Sequence, residues 1–249
     1  MQGIRQMHLL LLLELANESN GVAFNALKHS FRFHPTYTEI IRKTIYKQLA
    51  PAVSEESRSK LLKASIKLPH KDYPFILIHC EHEDKKTASG SRTNAGQTKV
   101  ALNIFRILSK TNIRAEILTL YSAQAQDLSS EIDPGRVHTV DSYQGKQCEL
   151  PIIVTTRSGN LSLFEEASAN FYQNDRRIVS LMTRGQHGLV LIGNFNTLLK
   201  GSSLWTPIIE ELVKLTPVIT EAYANSMECK IADLWVNNKN KHYVQKVTK

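Results

Sequence analysis

The sequence predicts an α/β fold, a parallel sheet with helices on both faces. Three observations carry this. Short continuous apolar runs of strand length recur at 73–80, 115–121, 150–155 and 188–193, as strands buried on both faces require. Between them lie stretches with apolar residues spaced by three and four, each a helix with one buried face. With 42% hydrophobic residues in 249, and only 11 Gly and 8 Pro, the chain can fill a sizeable core and is neither disordered nor fibrous.

Taken in order, the first apolar run, Leu9 to Leu13, is stopped by Glu14. It falls far short of the ~20 residues of a membrane span, so it reads as a buried strand or helix and no membrane is expected. Asn17-Glu18-Ser19-Asn20-Gly21 is a turn signal before a short helical stretch, Val22 to Leu27. From Pro35 to about Lys67, Ile40, Ile41, Ile45 and Leu49 predict one helix, with a second after Pro51. Phe75-Ile76-Leu77-Ile78 centres a strand from Tyr73 to Cys80, and the polar stretch Glu81 to Gln97, with Gly90 and Gly96, reads as a loop. Val100, Ile104, Ile107 and Leu108 share a helix face. Strands follow at 115–121, 137–140 and 150–155, with a helix at 122–129 after the first of them. A helix at 176–185, a strand at 188–193 and an amphipathic helix at 204–215, with Leu204, Ile208, Ile209 and Leu212 inward, complete the pattern. Asn237 to Lys249, with four Lys and no acid, reads as a solvated tail.

Cys80, Cys148 and Cys229 are too scattered for a disulfide framework or a paired-thiol metal site. A reducing compartment is expected, the cytoplasm or nucleus. His79, Cys80 and His82 have no second cluster in sequence, so they read as a strand end entering a loop, and no metal site is assigned. His34 reads as fixing the turn with Pro35, and Trp205 and Trp235 as packing residues. The net charge of +8 favours anionic partners without establishing one.

In parallel α/β sheets ligands bind outside the carboxyl ends of the strands, so polar residues after each strand are the candidates. Four segments rich in Arg, Gln and hydroxyls stand out: Phe31-Arg32-Phe33-His34-Pro35, Tyr121-Ser122-Ala123-Gln124, Asp141 to Gln147, and Asn174-Asp175-Arg176-Arg177 running to Thr183-Arg184-Gly185. These residue types contact phosphate, sugar and base edges.

Those segments also carry a resemblance. Val140-Asp141-Ser142-Tyr143-Gln144-Gly145-Lys146 is similar to motif V of superfamily-one helicases of the kind involved in nonsense-mediated decay. Arg176-Arg177-Ile178 through Met182-Thr183-Arg184, with His187 to Asn194 after it, resembles motif VI and its following strand. Ser30 to Pro35 resembles the family's Tyr-Arg-x-His-Pro segment, and Leu120 to Gln124 resembles motif IV. The similarity runs from about residue 22 to 215, in family order.

The resemblance implies the second of two RecA-like domains, the one that closes over ATP bound by the first, with Mg2+ ligands lying in that first domain. It implies residues 1–30 as a stub, 31–216 as the RecA-like domain, and 217–249 as an extension with a basic tail. Phe31 would stack on adenine. Arg32 and Arg184 would reach the γ-phosphate, Arg184 as the arginine finger. Gln144 and Gly145 would shape the motif V turn, and Gln147 would bond the ribose. Tyr121, Thr139 and Ser142 would contact a single strand of RNA or DNA.

The departures are specific. Phe31 stands where the family usually has Tyr, and Gln147 where it has Glu, which removes a charge-assisted bond. Asn174-Asp175 replaces Asp-Pro, and Val179-Ser180-Leu181-Met182 replaces Asn-Val-Ala-Leu, next to Arg184. No G-x-x-x-x-G-K-[ST] occurs, and no Asp-Glu pair supplies a Walker B strand. Gly3-Ile4-Arg5-Gln6-Met7 resembles a remnant of motif III without its Asp. The expectation is thus a helicase domain that depends for hydrolysis on a first RecA-like domain, with such a domain in trans as a candidate partner. The alternative is an inactive helicase-like module that binds nucleic acid or protein.

Overall fold

The computed structural model describes residues 28–159, 172, 174–201 and 204–227. The stub through Leu27, Cys229, Trp235 and the basic tail lie outside them. The centre is a six-stranded, wholly parallel sheet in the order β10-β3-β9-β8-β6-β7. Its strands are β3 (Phe75–His79), β6 (Ala115–Thr119), β7 (Val137–Thr139), β8 (Leu150–Val154), β9 (Leu189–Gly193) and β10 (Val218–Ile219). Two small pairs flank it: β1 (His29–Ser30) beside β2 (Ala50–Pro51), and the hairpin β4 (Lys85–Lys86) with β5 (Arg92–Thr93).

Alternation along the strands sorts side chains into two cores. Phe75, Leu77, Leu118, Ile153, Leu189 and Leu191 point to one face. There they meet α1 (Pro35–Thr44), α4 (Asp175–Met182), α5 (Phe195–Gly201) and α6 (Trp205–Val213). Ile76, Ile78, Ile117, Ile152, Val154, Val190 and Ile192 point to the other. They are covered by α2 (Ala95–Ser109), α3 (Ser122–Ser129) and α7 (Glu221–Asn225). Trp205 is wholly buried and its indole N–H donates to the Tyr172 carbonyl at 3.0 Å, so its expected packing role holds.

Helix starts follow local chemistry. His34 caps α1 by accepting from the Thr36 amide at 3.2 Å, with Pro35 in the first turn. Asn94 caps α2 through Gln97 N at 3.0 Å. Asn174 caps α4 through Arg177 N at 3.2 Å, so the Asn at this departure from the family still starts the helix.

Two expectations are corrected. In place of a second helix after Pro51 there is one 3-10 turn, Glu56–Arg58, followed by further turns. Ser54 and Ser59 bond nearby backbone groups there, which competes with helix propagation. The predicted loop 81–97 contains a hairpin, and α2 already begins at Ala95, with Gly96 in its first turn. None of the described helices is long and apolar enough to cross a membrane.

Candidate functional site

Three segments that precede elements of the sheet layer converge: 31–34 before α1, 144–148 before β8 and 183–187 before β9. The His34 amide donates to Gln186 O at 3.0 Å, Cys148 N to Arg184 O at 3.1 Å, and Gln186 N to Cys148 O at 3.0 Å. Cys148 and Gly185 form a parallel bridge. The Tyr37 hydroxyl donates to Met182 O, tying α1 to the end of α4. Gly185 permits this approach, since a Cβ there would lie 2.5 Å from Gly188 O and 2.7 Å from Pro151 Cδ.

Because β8 and β9 start just after these segments, the cluster sits at the amino end of the sheet. The expectation that the candidates would all gather outside the carboxyl ends is therefore corrected. β6 lies between β7 and β8 and runs parallel to both, so the chain leaving β7 must return the full depth of the sheet before β8 begins. Gln147 and Cys148 are the last steps of that return.

Two guanidinium groups dominate the cluster. Arg32 donates from Nε to Gln147 Oε1 at 3.0 Å and from Nη1 to Thr183 O at 2.6 Å. Arg184 donates from Nε to Ser180 O at 2.6 Å, from Nη2 to Ser180 Oγ at 2.8 Å and from Nη1 to Lys146 O at 3.0 Å. All these acceptors are neutral. Among the described residues, no carboxylate forms an ion pair with either arginine. Burial, and then the charge of Arg32, hold the Arg184 guanidinium below the usual arginine range; it remains cationic at neutral pH. Two adjacent cations without a counter-charge make a site suited to an anion with several oxygens.

Phe31 precedes Arg32 and is 69% exposed. Its position is fixed by backbone rather than by packing. Arg58 donates from Nη2 to Phe31 O at 2.8 Å and from Nε to Arg32 O at 2.9 Å. Sequence reasoning missed Arg58, because it lies in a stretch expected to be helical and no motif marks it. Ser180, noted only as a departure from the family, supplies two of the three acceptors of Arg184.

The remaining candidates are placed differently. Gln144 is exposed, and Gly145 has φ +82° with open space around its Cα, so the turn needs its conformation and not its lack of bulk. Thr139 and Ser142 lie at the carboxyl end of β7, opposite the arginines. Their hydroxyls are bonded to each other at 3.1 Å and to each other's backbone amides at 3.1 and 3.2 Å. Asp141 next to them pairs with Arg177 of α4 at 3.1 Å. Tyr121, expected to meet a nucleic-acid strand, is core: it is 8% exposed, and burial pushes its hydroxyl up to about 12. A Tyr following a strand of a doubly covered sheet is drawn inward by its apolar ring.

The carboxyl end also holds a buried polar network that sequence reasoning did not find. Asp84 accepts from Arg92 Nη1 at 2.7 Å and Ser158 N at 2.8 Å and lies 3.4 Å from Arg157 Nη1. Thr156 has φ +69°, the left-handed region that a β-branched residue rarely enters. It is held there by Gln97, which accepts from its amide at 2.8 Å, and by Asn94 Nδ2, which donates to its carbonyl at 3.1 Å.

A six-stranded parallel sheet covered by helices on both faces defines an α/β RecA-like domain of the P-loop NTPase-like fold. Residues 10–196 match the family described as "AAA domain", and the chain belongs to that family. Its relatives support a superfamily-one helicase family for this domain. It is 24% identical over 211 residues, 78% of this chain, to "Regulator of nonsense transcripts 1" of Dictyostelium discoideum. It is 24% identical over 198 residues, 74% of this chain, to "5'-3' DNA helicase ZGRF1" of Mus musculus. It is 37% identical over 208 residues, 77% of this chain, to "NFX1-type zinc finger-containing protein 1 homolog" of Caenorhabditis elegans. The chain spans 15%, 10% and 8% of these three proteins.

Proposed function

We propose that this chain is the second RecA-like domain of an ATP-dependent helicase. It closes over ATP held by a first such domain and contacts a single strand of RNA or DNA. The observation that carries the reading is the Arg32–Arg184 pair, two cations side by side with neutral acceptors only. A triphosphate fits that pair by charge and by its many oxygens, and the exposed Phe31 ring offers a face for a base. ATP supplies the phosphoryl group whose transfer does work. The part of this chain is to position guanidinium N–H groups where negative charge grows, which stabilises a phosphoryl-transfer transition state. For that, Arg184 must exchange Ser180 and Lys146 for phosphate oxygens, and Arg32 must exchange Thr183. The arginine set contains no carboxylate to hold Mg2+, so the metal's ligands belong to the first domain. Thr139 and Ser142, at the other end of the sheet, are the proposed strand contacts through their turn.

The test is ATP hydrolysis in the presence of single-stranded RNA. The full chain is assayed alone and mixed with a separately produced first RecA-like domain of the same family. Hydrolysis beyond that of the first domain alone should appear in the mixture and fall on the order of 1,000-fold in Arg184→Ala. Mixtures of wild type and Arg184→Ala that hydrolyse equally would sink the reading. They would favour the second one, a helicase-like module that binds without hydrolysis, a reading supported by the absence of a Walker A sequence in these 249 residues.

A further inference from the structure

At the carboxyl end of the sheet, away from the arginine pair, the fold brings together three side chains distant in sequence. β10 lies beside β3 in parallel register, Val218 facing Leu77 and Ile219 facing Ile78. Two residues further on, Cys80 and Glu221 therefore emerge side by side. His82 follows Cys80 by two residues, the spacing that returns a side chain to the same side of an extended segment. The Cys80 sulfur, a His82 ring nitrogen and a Glu221 carboxylate oxygen all lie within 4.8 Å of one another.

We propose that Cys80, His82 and Glu221 form a zinc site that staples the end of β3 to α7, with a water completing the tetrahedron. Thiolate, imidazole and carboxylate are the donor types that zinc accepts, at about 2.0 to 2.3 Å from the metal. Tetrahedral donors then stand about 3.5 Å apart, so small side-chain rotations close the set.

The surroundings hold these donors in place. The Cys80 amide donates to Gly193 O at 3.0 Å. The His82 carbonyl accepts from Asn94 Nδ2 at 2.6 Å. The His82 ring packs on the first turn of α2, where only glycine leaves room: a Cβ on Gly96 would lie 2.2 Å from ring carbons Cγ and Cδ2. His82 Nε2 already meets the Glu221 carboxylate at 3.2 Å, so the exposed His82 and the half-buried Glu221 face each other beside the buried sulfur. Cys80 is wholly buried while His82 is exposed, which leaves an entry path and a place for water. His79 stays out of the set, since its Nδ1 accepts from Phe195 N at 3.2 Å and its Nε2 meets Glu81 at 2.9 Å. Burial above all, with Glu221 and Glu81 adding to it against a backbone hydrogen bond at His82, pushes the Cys80 thiol up to about 12. Without metal the sulfur therefore keeps its proton, and zinc uptake releases that proton to solvent as the Zn–S bond forms.

The test uses the untagged full chain freed of metal with a chelator, and Zn2+ and Co2+ as probes. Calorimetry should show one Zn2+ per chain. Co2+ should give a thiolate charge-transfer band in the near ultraviolet and ligand-field bands of a tetrahedral site in the visible. Cys80→Ser removes the charge-transfer band. His82→Ala and Glu221→Gln, at partly exposed positions that leave the core intact, each weaken Zn2+ binding by roughly tenfold or more. Failure to take up one equivalent, or His82→Ala and Glu221→Gln binding as tightly as the wild type, would overturn the proposal. So would a thiolate band of full strength in Cys80→Ser, which would place the sulfur at another cysteine.

Discussion

Arg58 holds Phe31 by its carbonyl and not by its ring: Nη2 donates to Phe31 O at 2.8 Å, and Nε reaches Arg32 O at 2.9 Å. One planar fork thereby sets two consecutive peptides, with the Phe31 side chain exposed and the Arg32 guanidinium reaching Gln147 and Thr183. A lysine has no such fork. Arg58→Lys and Arg58→Ala should both cost about 1–2 kcal/mol of folding stability, after discounting for partial exposure. They should also weaken binding of a fluorescent adenine nucleotide by roughly tenfold, a tenth of the affinity corresponding to about 1.4 kcal/mol. A titration in which Arg58→Ala binds like the wild type would separate the brace from the site.

Ser180 competes with phosphate for Arg184. Removing its hydroxyl leaves the backbone acceptors of Arg184 in place but deletes the 2.8 Å contact at Nη2. Ser180→Ala should change stability by less than about 1 kcal/mol and tighten binding of inorganic triphosphate a few-fold. Arg184→Ala should weaken the same binding. Calorimetry on the three proteins checks this, and weaker binding by Ser180→Ala would show that the serine orients Arg184 rather than restraining it.

The Asp84 carboxylate, with its side chain 3% exposed, sits between Arg92 and Arg157 at 8% and 2%. Removing it deletes the carboxylate that pairs with both of these buried guanidinium groups. Asp84→Ala should therefore cost about 3–5 kcal/mol, read as a lower urea midpoint at unchanged slope. A cost under about 1 kcal/mol would mean that water reaches the pair.

Acid should loosen the segment that carries Phe31 and Arg32. Burial lowers the pKa of His34 and of His187; at His34 the charge of Glu55 opposes this and that of His187 adds to it, and at His187 a backbone bond at Arg58 and the charge of Glu149 oppose it. Each Nδ1 accepts a backbone amide, from Thr36 at 3.2 Å and from Lys60 at 3.4 Å, and protonation destroys that acceptor. The unfolded chain binds these protons more readily, so stability is full above the ordinary histidine value of about 6.5 and falls as pH drops through the window below it. Urea unfolding at about pH 7.5 and about pH 5.5 should show the lower midpoint in acid, with a smaller difference in His187→Gln. Equal midpoints would exclude the two histidines as the titrating groups.

The sheet was legible because its strands are unbroken apolar runs. Ile76 to Ile78, Ile152 to Val154 and Val190 to Ile192 alternate between two cores, so both faces had to be apolar and the runs announced themselves. β10 was not legible, since two residues, Val218 and Ile219, carry no period. Neither was α7, with five residues. The arginine site was legible in its members but not in its place. Arg32 meets Gln147 and Thr183, the residue before Arg184, across separations of 115 and 151 residues, and only the return of the chain to the amino edge before β8 and β9 shows which end they share. Arg58 left no trace because it acts through its reach to carbonyls, which no local pattern records. Glu221 escaped pairing with Cys80 and His82 for the same reason that β10 escaped detection: its neighbour is set by sheet register, 141 residues away.

The two ends of the sheet carry different groups, the paired arginines at one and the Thr139–Ser142 turn at the other. A five-residue strand such as β3 is about 16 Å long, and the close-packed layers on both faces make the body between the ends incompressible. Such a body behaves as a lever. A tilt of about 10° seated at the arginines carries the far edge through about 3 Å over that depth, with no strand lengthening and no side chain in between changing its rotamer.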